Sequence, residues 1–297
     1  MRIRPLVASL LRMALAPSLL ASGLRRAGRN LATILTGGAF PGRRAVLRLY
    51  LPMLARQLVA VVRPSLLRRA GETTVFGHTV RYGDYGNFVF NFEEMFIEQQ
   101  YAFSSGTDAP RVLDCGANIG LSVLYVKLLY PAARIVAFEP APDTFPLLLA
   151  NAGSLDGVTL EQKALASAPG ELTFYGFPGD RASLRATTIE QAGAEPVALV
   201  EAAPLSRYLD EPVDLLKLDV EGRELDILEE LASSGALSRV ERMMIEAHHH
   251  ESFAENRLSS LLALLENNGF AYRVRAPRGG DHWASDAQDV WLYVWRA

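Results

Sequence analysis

The segment RVLDCGANIGLSVLYVKLLYP, residues 111–131, constrains the fold of this chain more than any other. An apolar run ends in an acid, Asp114. A turn bracketed by Gly116 and Gly120 follows, and an apolar helical pattern then runs to Pro131, which stops it. The same alternation continues downstream. ARIVAFEP, PVDLLKLDVEG and RVERMMIEAH read as strands, and DTFPLLLANAG, RELDILEELASSG and NRLSSLLALLENNG as helices. GVTLEQKAL and GELTFYGF are further strands, and FAYRVRAP and DVWLYVWRA close the series. Strands alternating with helices of this length predict an α/β, Rossmann-like fold with a mostly parallel sheet covered on both faces. The runs RVLDC, IVAF and VDLLKL have continuous rather than alternating apolar cores, as doubly buried strands do.

Ligands of such sheets bind beyond the carboxyl ends of the strands. The residues that fall there are Asp114, Glu139, Lys163, Asp219, and Glu246 with His248. The turn is not a dinucleotide fingerprint, because Asn118 stands where Gly-x-Gly-x-x-Gly needs its middle glycine. That speaks against a nicotinamide-dependent oxidoreductase. The acid at 114 suits a ligand with a positive amine or sulfonium. Glu139, 19 residues after Gly120, can accept hydrogen bonds from both hydroxyls of a ribose.

KLDVEGRE forms a second constellation. On a strand, Lys217, Asp219 and Glu221 point the same way. Two readings stand side by side: a structural lysine–carboxylate network, or a group that binds an acceptor and handles its proton. Asp219 is the first candidate for that role, His248 the second and Lys217 the third. In IEAHHHE, Glu246, His248 and His250 share a side if the strand continues, but adjacent histidines without a second cluster match no metal spacing, so no metal is expected. Cys115 is the single cysteine and reads as a packing residue.

VLDCGANIGLSVLYV with VAFEPAPDTFPLLLANA resembles the S-adenosylmethionine-binding half of class I methyltransferases. QKALASAPGELTFYG and VDLLKLDVEGRELDILEEL are similar to the FkbM family in particular. The resemblance runs from about residue 82 to near the C-terminus. It implies a seven-stranded sheet with an antiparallel last strand, S-adenosylmethionine as cofactor, and transfer to an oxygen of a small or carbohydrate-like acceptor. By position, Asp114, Gly116, Asn118 and Gly120 would line the amino-acid end of the cofactor and Glu139 its ribose. Pro140 would border the adenosine, and Lys163 and Ala164 would lie near the adenine edge. Lys217 and Asp219 would face the reacting methyl group.

Residues 1–71 stand outside the resemblance. They hold 13 Arg and no Lys, Asp or Glu, whereas the rest carries 17 basic against 33 acidic residues. The expected division is therefore a basic helical extension, 1–71, and a methyltransferase domain, 72–297. Leu47, Leu51, Leu54, Leu58 and Val62 share one helical face, with Pro52 expected to kink or split that helix. Such a surface either packs as a helical cap or lies peripherally on anionic lipid. A membrane-peripheral scaffold without catalysis is the alternative this region motivates. Neither uncharged run before residue 45 reaches the 18–20 residues of a membrane span, and Arg12 interrupts what a cleaved leader would need. Phe40 and Tyr50 are the only aromatics before Arg63, too few for a stacking platform, so nucleic acid is not an expected partner. One cysteine fits a reducing compartment, and a cytoplasmic location is the expectation.

Overall fold

A computed structural model describes residues 23–37, 40–177, 186–191, 193–250, 258–275 and 287–297. Arg12 lies outside them. Two compact units emerge, Met1–Ala102 and Phe103–Ala297. The first unit thus extends past residue 71, where the charge balance changes.

The reason is visible in the first unit. Helix α1 covers 23–36 and α2 covers Arg43–Val62. A hairpin follows, β1 (Gly71–Val75) and β2 (His78–Tyr82), and then α3 (Tyr85–Phe92), which continues as one π-helical turn over Glu93–Ile97. Glu93 is buried, and Arg26 of α1 reaches it at 2.5 Å, with the amide of Gln57 in α2 at 3.5 Å. Arg56 of α2 lies over the Tyr85 ring, 3.6 Å from its centre. The basic helices and residues 72–102 therefore share one set of ion pairs and ring contacts. Helix α2 is continuous through Pro52. Its buried side is Val46, Tyr50, Met53 and Ala60, while Leu51 and Leu58 are exposed. The leucine stripe seen in the sequence is thus not the buried side: Leu47 and Leu54 are half-buried, and Leu51 and Leu58 face outward. No helix among the described residues is long and apolar enough to cross a membrane.

In the second unit the elements run β3 (Arg111–Cys115), α4 (Leu121–Leu129), β4 (Arg134–Phe138), α5 (Phe145–Ala152) and β5 (Val158–Glu161). Next come β6 (Ala164–Leu165), β7 (Gly170–Gly176) and β8 (Glu195–Ala203). Then follow β9 (Leu215–Leu218), α6 (Glu224–Ser233), β10 (Arg242–His250), α7 (Leu258–Asn267), β11 (Phe270–Arg275) and β12 (Ala287–Arg296). The main sheet has seven strands in the order β11-β12-β10-β9-β3-β4-β5. Only β12 is antiparallel to its neighbours, so the sheet matches the expectation of a mostly parallel sheet with an antiparallel last strand.

The chain leaves β3 for β4 on one side and later returns to pair β9 on the other. That is a topological switch point, where the loops part and a crevice opens at the carboxyl ends. Strands β3 and β9 are buried along their whole length, which makes their ends a rigid platform. A large apolar cluster from β9, β10, α6 and α7 backs this platform. β6, β8 and β7 form a separate three-stranded sheet. β8 is absent from the sequence reading, because EPVALVEAA has no strong period and four of its first five residues are exposed.

Candidate functional site

The site is built at the ends of β3, β4, β9 and β10. After Cys115 the chain turns through Gly116, Asn118 and Gly120, all at positive φ (88°, 48° and 87°). Gly116 is required twice over. A side chain there would be strained at that φ, and its Cβ would sit 1.8 Å from the carbonyl oxygen of Asp219. At Gly120 a Cβ would meet the end of the Leu148 side chain at 2.8 Å. Asn118 acts through its backbone: its own carboxamide oxygen accepts the next N–H, from Ile119, at 2.8 Å. Its N–H donates to Glu139 Oε2 at 2.9 Å.

Glu139 follows β4 and is buried. Its other oxygen accepts the N–H of Ala141, also at 2.9 Å. Burial pushes its pKa up to about 7, against the lowering effect of those two N–H groups and of Lys217. Each carboxylate oxygen keeps a second lone pair, so the group can still receive two hydroxyl donors. Pro140 beside it is half-buried. Lys163, in the link from β5 to β6, is drawn to Glu161 (3.0 Å), Glu201 (3.5 Å) and the Tyr208 hydroxyl (3.4 Å). Glu161, and after it the Tyr208 hydroxyl, raise the pKa of Lys163. Ala164 is buried in β6.

Lys217 lies in β9 beside Asp114 of β3. Its buried ammonium donates to the carbonyl of Gly116 at 2.6 Å and reaches Asp114 Oδ1 at 3.2 Å and Asp219 Oδ2 at 3.3 Å. Burial opposes its charge, but the two carboxylates outweigh burial and raise its pKa. The buried ammonium thus links the turn after β3 to the end of β9, which makes Lys217 a strut between them. The hydroxyl of Ser122 donates to the second oxygen of Asp114 at 2.5 Å. Asp114 is therefore oriented from both sides, by Lys217 and by Ser122. Cys115 is fully buried, and burial pushes its thiol pKa well up, which leaves it inert.

The trio of the second constellation splits. β9 ends at Leu218, and Glu221 adopts a left-handed φ of 55°, so the period of a strand no longer applies. Asp219 stays with Lys217, half-buried. Glu221 turns toward His248 of β10, with Oε2 3.4 Å from Nε2. The other ring nitrogen, Nδ1, lies 2.8 Å from Glu224 Oε1. Glu224 opens α6, is fully buried, and accepts the N–H groups of Val220 (3.3 Å) and Gly222 (3.0 Å). Burial disfavours a charged His248, but Glu221, Glu224 and Asp219 overcome it and raise its pKa well above the ordinary value. Both ring nitrogens of His248 therefore face carboxylates, which fix the orientation of the ring. Glu221 and Glu224 are thus carboxylate partners of His248, with Asp219 an electrostatic neighbour. The side chain of His250 lies outside the described residues. Asp219, Glu221 and His248 bring ligand atoms within 4.8 Å of one another, a group able to hold a metal where the sequence reading expects none.

This arrangement coincides with a known family. The profile of the methyltransferase FkbM domain matches residues 114–272, from the acid of the turn into β11. The chain belongs to the FkbM methyltransferase family. Methyltransferase sdnD of Sordaria araneosa is 34% identical over 173 residues, 47% of this chain and 67% of the relative. Methyltransferase 1 of Beauveria bassiana is 31% identical over 208 residues, 62% of this chain and 82% of the relative. The 31-O-demethyl-FK506 methyltransferase FkbM of Streptomyces tacrolimicus is 28% identical over 232 residues, 65% and 86% respectively.

Two residues of this FkbM methyltransferase escape the sequence reading. Ser122 looks like an ordinary helix residue, and its bond to Asp114 shows only in three dimensions. Glu224 does leave a trace: an acid two residues after Gly222 can reach back to cap the N–H groups of the turn before α6.

Proposed function

We propose that this methyltransferase takes its methyl group from S-adenosylmethionine and passes it to an oxygen of a small or sugar-like acceptor. The observation that carries this reading is Glu139. A buried carboxylate, oriented by two backbone N–H groups and still able to receive two hydroxyl donors, fits the vicinal hydroxyls of an adenosine ribose. Two further donors would also relieve the burial that raises its pKa. The carboxylates of Asp114, Asp219 and Glu139 outnumber the one ammonium of Lys217, so this end of the sheet favours a ligand of net positive charge. Pro140 would border the adenosine, and Lys163 and Ala164 would lie near the adenine edge.

When bound, S-adenosylmethionine supplies a methyl group already activated by its sulfonium. The protein's task is alignment, which can contribute about 7–11 kcal/mol of the barrier. Asp219 is the half-buried carboxylate at the end of β9, fixed by Lys217, and would anchor the acceptor hydroxyl or take its proton. General-base help of that kind contributes about 10²–10⁴ in rate. His248, its ring oriented by Glu224, is the second candidate for binding the acceptor or handling its proton. The oxygen preference is supported by the Streptomyces relative, whose name gives a 31-O-demethyl compound as its substrate.

Calorimetric titration with S-adenosylmethionine tests the donor. Two hydrogen bonds to a charged group contribute about 1.5–3 kcal/mol each, so Glu139→Ala is expected to weaken binding by 10²-fold or more. A folded wild-type protein that binds no S-adenosylmethionine overturns the reading.

A further inference from the structure

We infer that Asp219, Glu221 and His248 form a site for a divalent cation of the Mg²⁺ or Mn²⁺ class, which would hold the acceptor's oxygen beside the methyl donor. The cation site stands on its own geometry; its role toward the acceptor rests on the function proposed above.

The three side chains come from two strand ends, β9 and β10, that lie next to each other in the sheet. Their candidate ligand atoms fall within 4.8 Å of one another. Ligands about 2.1 Å from a common ion lie some 3–4 Å apart, so modest side-chain rotation closes the set. Acidic clusters alone are common on protein surfaces, and this group differs from one in its support. His248 is buried, and its Nδ1 is engaged at 2.8 Å by Glu224, itself without solvent exposure and held by the N–H groups of Val220 and Gly222. That bond fixes the ring and leaves Nε2 on the side of Glu221, 3.4 Å away. A histidine whose second nitrogen is held by a buried carboxylate is the usual outer support of a metal-bound imidazole. Lys217 steadies Asp219 from behind at 3.3 Å. The hydroxyl of Thr187 donates to the Glu221 carbonyl at 2.7 Å, fixing the backbone of the third ligand.

Two carboxylates and one imidazole form a mainly oxygen donor set, which suits Mg²⁺ and Mn²⁺ better than ions that prefer sulfur or several nitrogens. Three protein ligands leave coordination positions for water and for an acceptor hydroxyl. An ion there would lower the proton affinity of that hydroxyl, and Asp219 would then serve as ligand rather than base.

Mn²⁺ is the probe, because free Mn²⁺ gives a paramagnetic resonance signal that disappears on binding. The full chain, stripped with chelator, is titrated with MnCl₂ in parallel with His248→Gln and Glu224→Gln, each first checked for a cooperative melt. One Mn²⁺ per wild-type chain is expected, competed by Mg²⁺. His248→Gln should weaken it at least tenfold and Glu224→Gln by about 10–100-fold. Absence of binding by the folded wild type at millimolar Mn²⁺ overturns the inference. So does binding that His248→Gln leaves unchanged, since the ion would then sit on other carboxylates. Titration of the same samples with S-adenosylmethionine separates the two proposals: an ion without the methyl donor leaves the cation site standing and removes the donor reading, and the reverse result does the opposite.

Discussion

Glu139 gives the sharpest test, because its chemistry predicts a pH profile. Burial holds the free group near a pKa of about 7. Ribose hydroxyls donate to the carboxylate, so binding should draw the proton off and lower that value. If the bound group stays ionised down to pH 5.5, affinity should fall about 30-fold between pH 8 and pH 5.5, or ~2 kcal/mol. The ligand should be 5′-methylthioadenosine, which keeps the ribose but lacks the amino and carboxyl groups whose own titration would confuse the profile. Calorimetry at half-unit steps gives the slope. Glu139→Gln removes the titration and turns an amide NH₂ against the N–H of either Asn118 or Ala141, so it should bind weakly and flatly across the range. A flat wild-type profile would refute the reasoning, and a slope retained in the glutamine variant would place the titrating group elsewhere. The same pKa has a stability consequence. A carboxyl whose folded pKa is raised disfavours the folded state as it ionises. The ligand-free protein should therefore lose up to about 3 kcal/mol from this group as pH rises from 4.5 through 7, and little more above that.

Other outcomes follow from single contacts. Gly116→Ala should destabilise the protein by ~3 kcal/mol or more, since its Cβ would overlap the Asp219 carbonyl; Gly120→Ala, which meets only the movable end of Leu148, should cost about 1–2 kcal/mol in the same urea titration. Arg26→Ala should cost about 2 kcal/mol, because it strands the buried Glu93 while the arginine's partial exposure limits the loss; a double variant with Glu93→Leu should recover part of it, and no recovery would mean that packing, not charge, holds that corner. Lys217→Met should lower stability by about 3–5 kcal/mol by leaving Asp114 and Asp219 unpaired, and a melt unchanged from wild type would dismiss the strut. Full-length protein should co-sediment with vesicles rich in anionic lipid, and Leu51→Ser with Leu58→Ser should reduce this; equal sedimentation with neutral vesicles would remove the electrostatic component.

What the sequence makes legible is what periodicity and punctuation encode. Continuous apolar runs announce β3, β4 and β9. Pro131 and Gly153 stop helices, and the acid-and-glycine turn stands out because so few folds require one. The carboxyl-end rule then places Asp114, Glu139 and Asp219 at one edge of the sheet before any coordinates are known. What stays hidden is direction. Lys217 and Glu221 look like partners on one strand face, but the strand ends at Leu218 and the positive φ at Glu221 turns the chain. His248 seems to belong with its neighbours in HHH, while its actual partners lie 24 and 27 residues earlier, at the end of an adjacent strand. The Leu47–Leu58 stripe has the period of a buried face, yet the buried side is the one marked by Val46, Tyr50 and Met53. Period alone cannot tell which of two apolar faces the aromatic cluster will claim.

Lys217 also shows why the two ends of the site cannot be treated separately. Its ammonium bonds the Gly116 carbonyl and Asp114, which shape the glycine turn, and it also holds Asp219, the acceptor-side carboxylate. The Asp219 carbonyl in turn packs against the Cα of Gly116, which is why that position tolerates no side chain. A change in the turn therefore moves Asp219, and a change at Asp219 alters the electrostatic balance around Asp114. Asp219 then borders Glu221 and His248, whose own position is set by Glu224 at the first turn of α6. The chain of contacts runs from the turn after β3, through the end of β9 and His248 of β10, to the start of α6. Substitutions at the two ends should consequently be non-additive. The coupling between Gly116 and Asp219, which touch, should exceed that between Glu139 and His248, for which no direct contact is seen.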